Sequence, residues 1–311
     1  MQIFFDTKLA ILTITGDNVS SFLQGQLTTN LNNLAVMHCQ PTALCQYQGK
    51  TLAHGYIYME HAARAHFLLP EASIALVTQT LQPFAALERM ELNAPNPKNY
   101  PVVGLITKNI CPNLPKQRNQ IIQINQSMHI LCMHTDPYVY LVQGPMVEVT
   151  QWATQFSSAQ VQRHTNWQAA LIEQNILFLP PQASGLYTPN MLGLVPSPSV
   201  SLRKGCYVGQ EVIARTYHLG QVKRTLHTFQ CPTLKAPLPT NTILEIISTS
   251  GTARVLQSGY DGTQLWFQAI MLQASAPYEF ILPKDEDTHS SPLVFEAKLF
   301  PRTDSSVKEI K

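Results

Sequence analysis

The stretch that decides this fold covers residues 203–215 and reads Arg-Lys-Gly-Cys-Tyr-Val-Gly-Gln-Glu-Val-Ile-Ala-Arg. Gly205 offers the backbone freedom of a tight turn, because only glycine adopts positive φ at little cost. The periodic run that begins at Val208 is typical of a helix, so Cys206 is expected near a helix N-terminus. There the helix dipole and the neighbouring Arg203 and Lys204 favour a thiolate. The pattern predicts a reactive or ligating thiol at Cys206, supported by Lys204.

This stretch is also more basic than the rest of the chain. Residues 200–230 contain Lys or Arg at positions 203, 204, 215, 223 and 224, and Glu211 is the only acid among them. The whole chain, with 21 Lys and Arg against 19 Asp and Glu, carries a net charge of only +2. The overall balance excludes a generally basic nucleic-acid coat, whereas the local charge suits a carboxylate-bearing or polyanionic ligand. A packed thiol beside a solvated basic junction is the alternative interpretation.

The hydrophobic patterns divide the chain into a large and a small unit. Leu9–Thr15 is typical of a strand, and the stripe of Val19, Phe22 and Leu23 indicates a helix after it. Strand and helix patterns then mix without βαβ alternation, which predicts the α+β class. After residue 222 only short strand-like runs remain, as in a small β-barrel.

The predicted domains follow from that change of pattern. Residues 1–222 are expected to form an α+β body with a subdomain linker near 93–100. Residues 223–282 are expected to form the barrel, and residues 283–311 a polar, mobile tail.

Composition favours a cytoplasmic protein. The N-terminus has no basic segment or cleavage-like site of a signal peptide. The longest apolar runs, such as Tyr138–Val142, are far shorter than the ~18–20 residues of a membrane span. The six cysteines form no C-x-x-C pair, so no disulfide framework and no metal site is predicted.

Several motifs together resemble one known family. Lys204-Gly205-Cys206-Tyr207, followed by Gly209-Gln210-Glu211, Ala214-Arg215 and Lys223-Arg224, resembles the signature of the YgfZ family of folate-binding proteins. That family is related to the aminomethyltransferase, or T-protein, of the glycine cleavage system. Weaker similarities are found at Leu23–Thr28, Gln48-Gly49-Lys50, Trp167–Glu173 and Tyr187-Thr188-Pro189. The resemblance covers roughly residues 1–230, and the remainder only in pattern.

The resemblance implies both a fold and a function. It implies a ring of T-protein-like subdomains with a C-terminal β-barrel, around a channel that binds tetrahydrofolate or a derivative. It further implies an accessory role in the assembly or repair of iron–sulfur enzymes, including tRNA-thiolating ones, and hence in tRNA modification. The expected partners are a reduced folate and iron–sulfur enzymes or assembly proteins, and the expected state is a monomer.

The resemblance also assigns residues to the folate. Trp167 corresponds to a folate-contacting tryptophan, with a core tryptophan as the alternative. Glu173 corresponds to the carboxylate that reads the pterin, since a carboxylate accepts two parallel donors; a helix-surface glutamate is the alternative. Tyr187, Tyr207, Gln210 and Arg215 complete the expected folate contacts. Leu9 stands where some family members have a second tryptophan, which weakens the expected stacking on the ligand.

The sequence leaves enzymatic activity open. Aminomethyltransferases carry an acidic pair after a Gly-Gly turn, whereas residues 49–54 contain no carboxylate here. His54 is either a base or a core-edge histidine. A folate-dependent one-carbon transferase is therefore one alternative function, and an RNA-binding module that uses residues 203–224 is another. Direct binding of nucleic acid is disfavoured, because the chain has no broad basic face or aromatic RNA motif. A hydrolase built on Cys206 and His218 lacks an orienting group.

Overall fold

A computed structural model describes residues 1–156, 160–161, 164–239, 243–246, 251–272, 278–282 and 293–300. Its strands form two open sheets and one closed barrel. The strands are β1 Gln2–Phe4, β2 Leu9–Thr15, β3 Cys39–Cys45, β4 Thr51–His61, β5 Arg64–Pro70, β6 Glu91–Asn93, β7 Val102–Thr107, β8 Ile121–Gln123, β9 His129–Thr135, β10 Tyr138–Gln143, β11 Gln160–Val161, β12 Arg224–Cys231, β13 Ile243–Ile246, β14 Gly251–Tyr260, β15 Leu265–Leu272, β16 Tyr278–Leu282 and β17 Leu293–Phe300. The helices are α1 Val19–Gln26, α2 Ile74–Leu87, α3 Met146–Ala153, α4 His164–Glu173 and α5 Gln210–Leu219, and short 3₁₀ turns occur at Leu31–Asn33, Glu71–Ser73 and Pro181–Ala183. The predicted mixture of helices and sheets is confirmed.

The first sheet has the strand order β3-β4-β5-β2-β6 and is antiparallel throughout. Strand β2 begins and ends where the sequence predicts, at Leu9 and Thr15. Its side chains are buried on both faces: Leu12 and Ile14 join the core under α1 and α2, whereas Leu9 and Ile11 join a second core. Burial on both faces explains why this strand is apolar almost without interruption.

The second sheet has the order β11-β1-β7-β10-β9-β8. Its strand β1 comes from the N-terminus and pairs with β7, so the segment near 93–100 does not divide the body into independent halves. Helix α4 places the ring of Trp167 against this sheet, 5.3 Å from the ring centroid of Phe4. Gly104 makes room for it, since a Cβ there would lie 2.6 Å from the indole ring.

The barrel closes in the order β12-β15-β14-β13-β16-β17, and β17 pairs with both β16 and β12. Its interior contains the rings of Phe229, Phe267, Phe280 and Phe295. The predicted end of the barrel at residue 282 is therefore wrong. Residues 293–300 alternate buried Phe295 and Ala297 with exposed neighbours, which is the two-residue period of a strand. Residues 283–292 and 301–311 of the predicted tail lie outside the described residues.

None of the helices in the described ranges combines the length and hydropathy that a membrane crossing requires.

Candidate functional site

Lys204 anchors the signature loop to the body. Its side chain is buried, and its ammonium donates hydrogen bonds to the carbonyl oxygens of Leu27 (2.6 Å) and Thr29 (2.7 Å). The same ammonium lies 4.9 Å from the ring centroid of Tyr207. Burial lowers the pKa of Lys204 to about 8. The contacts differ from the predicted role, because they direct the ammonium at backbone carbonyls of residues 27–29 and not at Cys206.

Residues 27–29 also hold the segment that precedes the signature. Thr28 Oγ1 donates to the carbonyl oxygen of Ser199 (2.6 Å), and Thr29 Oγ1 donates to that of Pro198 (3.0 Å). Both hydroxyls lie in or directly beside the Leu23–Thr28 stretch that resembles the family. This stretch therefore fixes the segment that leads into the signature.

Gly209 forms the turn into α5. It is the N-cap residue and has φ +82°, in the left-handed region that favours glycine. A Cβ at this position would lie 2.7 Å from the carbonyl oxygen of Gln46. Gly205, the residue predicted to form this turn, has no left-handed φ and faces open space. The assignment to Gly205 is therefore wrong: the need for glycine comes from the neighbouring chain segment, which the local sequence does not reveal.

Cys206 is the only exposed cysteine of the six, all of which lie in the described ranges. It is three residues before the N-cap of α5, and the predicted helix begins at Gln210. By contrast, burial raises the pKa of Cys39, Cys45 and Cys132 to about 12. The loop thus presents one accessible thiol.

Tyr207, the next residue, points into the core. It packs in a cluster with Tyr187, Leu192 and Ile213, and its hydroxyl is buried without a hydrogen-bond partner. Burial raises its pKa. Gln210 donates through Nε2 to the carbonyl oxygen of Lys204 (3.3 Å) and so closes the loop. Of the predicted folate contacts in this region, Tyr207 and Gln210 thus contact the loop and core, whereas Arg215 is exposed on α5.

Trp167 and Glu173 do not meet the signature in a common cavity. Trp167 is fully buried, and its indole Nε1 has no hydrogen-bond partner. Glu173 lines a separate cavity of about 650 Å³ with Lys108 and Asp261. Burial and the charge of Asp261 raise the pKa of Glu173. The two residues that the resemblance assigns to the folate are therefore in different surroundings, one in the core and the other in a cavity.

A cavity of about 460 Å³, which we call the Leu9 cavity, lies between the body and the barrel. Leu9, Leu171 and Phe178 form apolar walls, and Gln168 and Gln257 contribute amides. Gln168 Nε2 donates to Gln257 Oε1 (2.7 Å), which fixes the orientation of both groups. The volume lies within the ~300–1,000 Å³ of small-molecule sites.

A second, smaller cavity of about 190 Å³, which we call the His54 cavity, is lined by His54, Ser199, Arg118, Asn119 and other residues, none of them acidic. His54 Nδ1 lies 2.9 Å from the carbonyl oxygen of Leu177. A carbonyl oxygen only accepts, so Nδ1 carries the hydrogen and Nε2 of the neutral ring is left as an acceptor. Ser199 Oγ lies 3.3 Å from Nε2. The sequence left His54 open between base and core; the structure places it in a cavity wall with its basic nitrogen fixed.

The two cavities lie on opposite sides of one extended segment. Leu177 lines the His54 cavity and Phe178 lines the Leu9 cavity, as successive residues of an extended chain face opposite ways. The rings of Tyr56 and Phe178 have their centroids 5.3 Å apart. This aromatic contact separates the cavities. The sequence does not predict these two cavities, because they depend on which distant segments come together in the fold.

Three comparisons place this geometry among known proteins. No family model matches the chain. The curated tRNA-modifying protein YgfZ of Colwellia psychrerythraea is 25% identical over 247 residues, which cover 77% of this chain and 74% of that protein. An uncharacterized protein of Haemophilus influenzae is 23% identical over 228 residues, 73% of this chain and 72% of that protein.

Among solved structures, the glycine cleavage system aminomethyltransferase T of Bartonella henselae superposes with a TM-score of 0.73. The match covers 95% of this chain and 84% of that chain at 11% sequence identity, which shows a shared fold. The resemblance read from the signature and its supporting motifs is thus confirmed: the chain is a relative of the tRNA-modifying protein YgfZ and has the fold of the glycine cleavage aminomethyltransferase.

Proposed function

We propose that this protein is a folate-binding accessory protein that supports the assembly or repair of iron–sulfur enzymes, tRNA-modifying enzymes included, and that Cys206 is its reactive or ligating thiol. One observation carries the proposal: Cys206 is exposed on a loop held by Lys204, Tyr207 and Gly209, whereas the other cysteines are buried or half-buried. A cysteine that serves only as a small apolar residue is normally buried. A fixed loop around an exposed thiol fits chemistry at the sulfur.

The Leu9 cavity is the proposed folate site. The apolar walls at Leu9, Leu171 and Phe178 suit a pterin or aminobenzoyl ring, and the amides of Gln168 and Gln257 suit its donor and acceptor edge. The contact between Tyr56 and Phe178 separates this site from the His54 cavity. In this arrangement the buried Trp167 does not contact the ligand. It holds in place helix α4, which carries the cavity residues Gln168 and Leu171.

The remaining residues of the proposal act around these sites. Tyr207 and Gln210 position the thiol loop, and Arg215 offers an exposed charge to an anionic partner. Glu173 lines a separate cavity. Its carboxylate is proposed to accept hydrogen bonds from the part of the ligand that enters that cavity. A folate bound in the Leu9 cavity would act as a carrier of one-carbon groups.

The thiol part of the proposal is tested by complementation. Cys206→Ala and Cys206→Ser are compared with Cys111→Ser in cells that lack this protein, with tRNA thiolation and an iron–sulfur enzyme activity as readouts. We expect both Cys206 variants to accumulate as folded protein and to fail in support, while Cys111→Ser supports normally. Full support by Cys206→Ala would reduce the signature to a structural motif.

The folate part is tested separately by calorimetric titration of the purified protein with tetrahydrofolate. Gln257→Leu removes one amide of the Leu9 cavity and is expected to weaken binding. Glu173→Gln tests whether the separate cavity that Glu173 lines contributes to binding. Absence of binding to the wild-type protein would overturn the folate assignment and leave the thiol test unaffected.

A second candidate function is a folate-dependent one-carbon transferase on another substrate. The observation in its favour is the position of His54, which lines the His54 cavity with Nδ1 bound to the carbonyl oxygen of Leu177 and Nε2 3.3 Å from Ser199 Oγ. Its Nε2 would serve as a base where the related enzymes have acids. Consumption of methylene-tetrahydrofolate by the wild-type protein, lost in His54→Gln, would establish it. An unchanged folate after prolonged incubation would exclude it.

A further inference from the structure

A small cavity at the junction between body and barrel contains two arginines. Its volume is about 90 Å³, and it is lined by Tyr187, Met191, Arg224, Arg254 and Ile270 among others. Tyr187 and Met191 come from the body just before the signature, whereas the arginines come from barrel strands β12 and β14. The cavity is separate from the Leu9 and His54 cavities, with which it shares no lining residue.

The strand register brings the two arginines to one face of the barrel. Ile270 on the central strand β15 pairs with Leu226 on one side and with Arg254 on the other. Arg224 precedes Leu226 by two positions, so both arginines share the face of Leu226 and Ile270. That face packs on the body, and the backbone N–H of Leu226 donates to the carbonyl oxygen of Met191 (2.9 Å). Arg224 is exposed and Arg254 is half-buried, so both guanidinium groups border this interface and stay accessible to a ligand.

Neither arginine forms an ion pair with any side chain that the structure describes. The ion pairs in the described ranges join Lys8 to Asp6 and Glu60 to Arg64 and His66. No carboxylate is among the residues that line the cavity. Burial raises the pKa of the Tyr187 hydroxyl, and the charges of Arg254 and Arg224 act on it in the opposite direction. The hydroxyl thus lies within the field of both guanidinium groups and remains a donor at neutral pH.

We infer that this cavity binds one small oxyanion, a phosphoryl or carboxylate group, between Arg224, Arg254 and the hydroxyl of Tyr187. Both guanidinium groups line this one cavity, so an anion in it would be attracted by two positive charges. Guanidinium groups bind carboxylate and phosphate oxygens through paired N–H donors, and a phenol adds a third donor. The cavity has about three times the ~30 Å³ that one water takes up in the liquid, which is room for one such group, either free or at the end of a longer ligand. The inference does not rest on the proposed folate site.

Calorimetric titration and thermal unfolding with defined anions test this inference. The probes are inorganic phosphate and γ-glutamylglutamate, each at the ionic strength of a sodium chloride reference. Binding of phosphate identifies a phosphoryl site, and binding of the dipeptide identifies a carboxylate site. The variants are Arg224→Gln, Arg254→Gln and Tyr187→Phe, and Lys298→Gln on the exposed side of the barrel is the matched control.

We expect at least tenfold weaker binding in each arginine variant, a severalfold loss in Tyr187→Phe, and no change in Lys298→Gln. The anion should raise the unfolding temperature of the wild type and not that of Arg254→Gln. Arg254→Lys keeps the charge but loses the paired donors, so it should bind with intermediate affinity even if Arg254→Gln folds poorly. Binding of neither probe, or equal binding by the wild type and both arginine variants, would overturn the inference.

Discussion

Gly209 and Gly49 touch through their backbones. A Cβ on Gly209 would lie 3.1 Å from the Cα of Gly49, and a Cβ on Gly49 would lie 2.9 Å from the Cβ of Val212. Both glycines have left-handed φ, +82° and +73°. Two motifs far apart in the chain, the signature and the Gln48-Gly49-Lys50 turn, therefore form one unit. This contact therefore helps to position the loop that carries Cys206.

Gly209→Ala should destabilise the protein by at least ~2 kcal/mol. The substitution adds the cost of a left-handed backbone with a side chain, ~1–2 kcal/mol, to the clash with the carbonyl oxygen of Gln46. Gly205→Ala is the matched control, because that position faces open space without positive φ. Urea unfolding measures both. Equal stability of the two variants would contradict the contact between the motifs.

Lys204→Met should lower the free energy of unfolding by ~1–3 kcal/mol, because it leaves the carbonyl oxygens of Leu27 and Thr29 without their buried donor. Arg203→Met, at the exposed neighbouring position, should change stability by less than ~0.5 kcal/mol. Chemical denaturation compares the two. An unaffected Lys204→Met protein would show that the clamp does not stabilise the loop.

Cys206 should be the first cysteine to react with iodoacetamide in the folded protein at neutral pH, because only this thiol is exposed. Cys111, which is half-buried, should follow, and the remaining four should react only after unfolding. Peptide mass spectrometry of timed samples gives the order. Reaction of Cys39 or Cys45 ahead of Cys206 would contradict the described loop.

Stability should decrease as the pH falls below neutral, and His129 should account for part of this decrease. Its ring is buried with no hydrogen-bond partner on either nitrogen. Burial first, and the charges of His66 and Arg64 next, lower its pKa to about 4, while Glu60 acts in the opposite direction. The unfolded chain therefore takes up the proton near pH ~6.5, before the folded protein does. The contribution is complete above that pH and is lost as the pH falls towards 4.

The expected loss from His129 is ~1–3 kcal/mol between pH ~6.5 and ~4. His129→Leu should flatten this part of the profile, whereas His61→Asn, at an exposed position of the first sheet, should leave it unchanged. Unfolding free energies at several pH values provide the measurement. A His129→Leu profile parallel to the wild type would refute the assignment.

Leu9→Trp should tighten the binding of tetrahydrofolate, if the Leu9 cavity is the folate site as proposed. An indole in that wall adds a stacking face worth ~1–3 kcal/mol, or roughly 5- to 150-fold in affinity. Leu9→Met, which keeps the volume, should bind like the wild type. Calorimetry on the three proteins is the measurement, and weaker binding by a folded Leu9→Trp protein would move the folate elsewhere.

Local patterns in the sequence predicted the elements that depend on nearby residues. Strand β2 was predicted from Leu9 to Thr15 and occurs there, and the helix after Cys206 begins two residues later than its predicted start. The strand Leu293–Phe300 was not predicted, because a polar stretch precedes it. Its buried Phe295 and Ala297 nevertheless alternate with exposed residues, which is a strand pattern.

The functional geometry depended on contacts that no local pattern contains. Lys204 beside Cys206 in sequence suggested support of the thiolate, yet its ammonium turns to Leu27 and Thr29. Trp167 matched a ligand-contacting position, yet its ring is buried against Gly104, where the missing side chain leaves room for it. In each case the partner lies at least 60 residues away in the chain, so only the folded structure shows which role prevails.

The closure of the barrel by its last strand sets an order for synthesis on the ribosome. Strand β12 follows the signature helix directly, but one of its two partners, β17, is made roughly 70 residues later. At ~5–20 residues per second that interval lasts about 4–14 s, during which one edge of β12 is unpaired next to a completed body. A nascent chain of this protein therefore exposes a β-edge for seconds before it can close, and chaperones that recognise such edges have that time in which to bind.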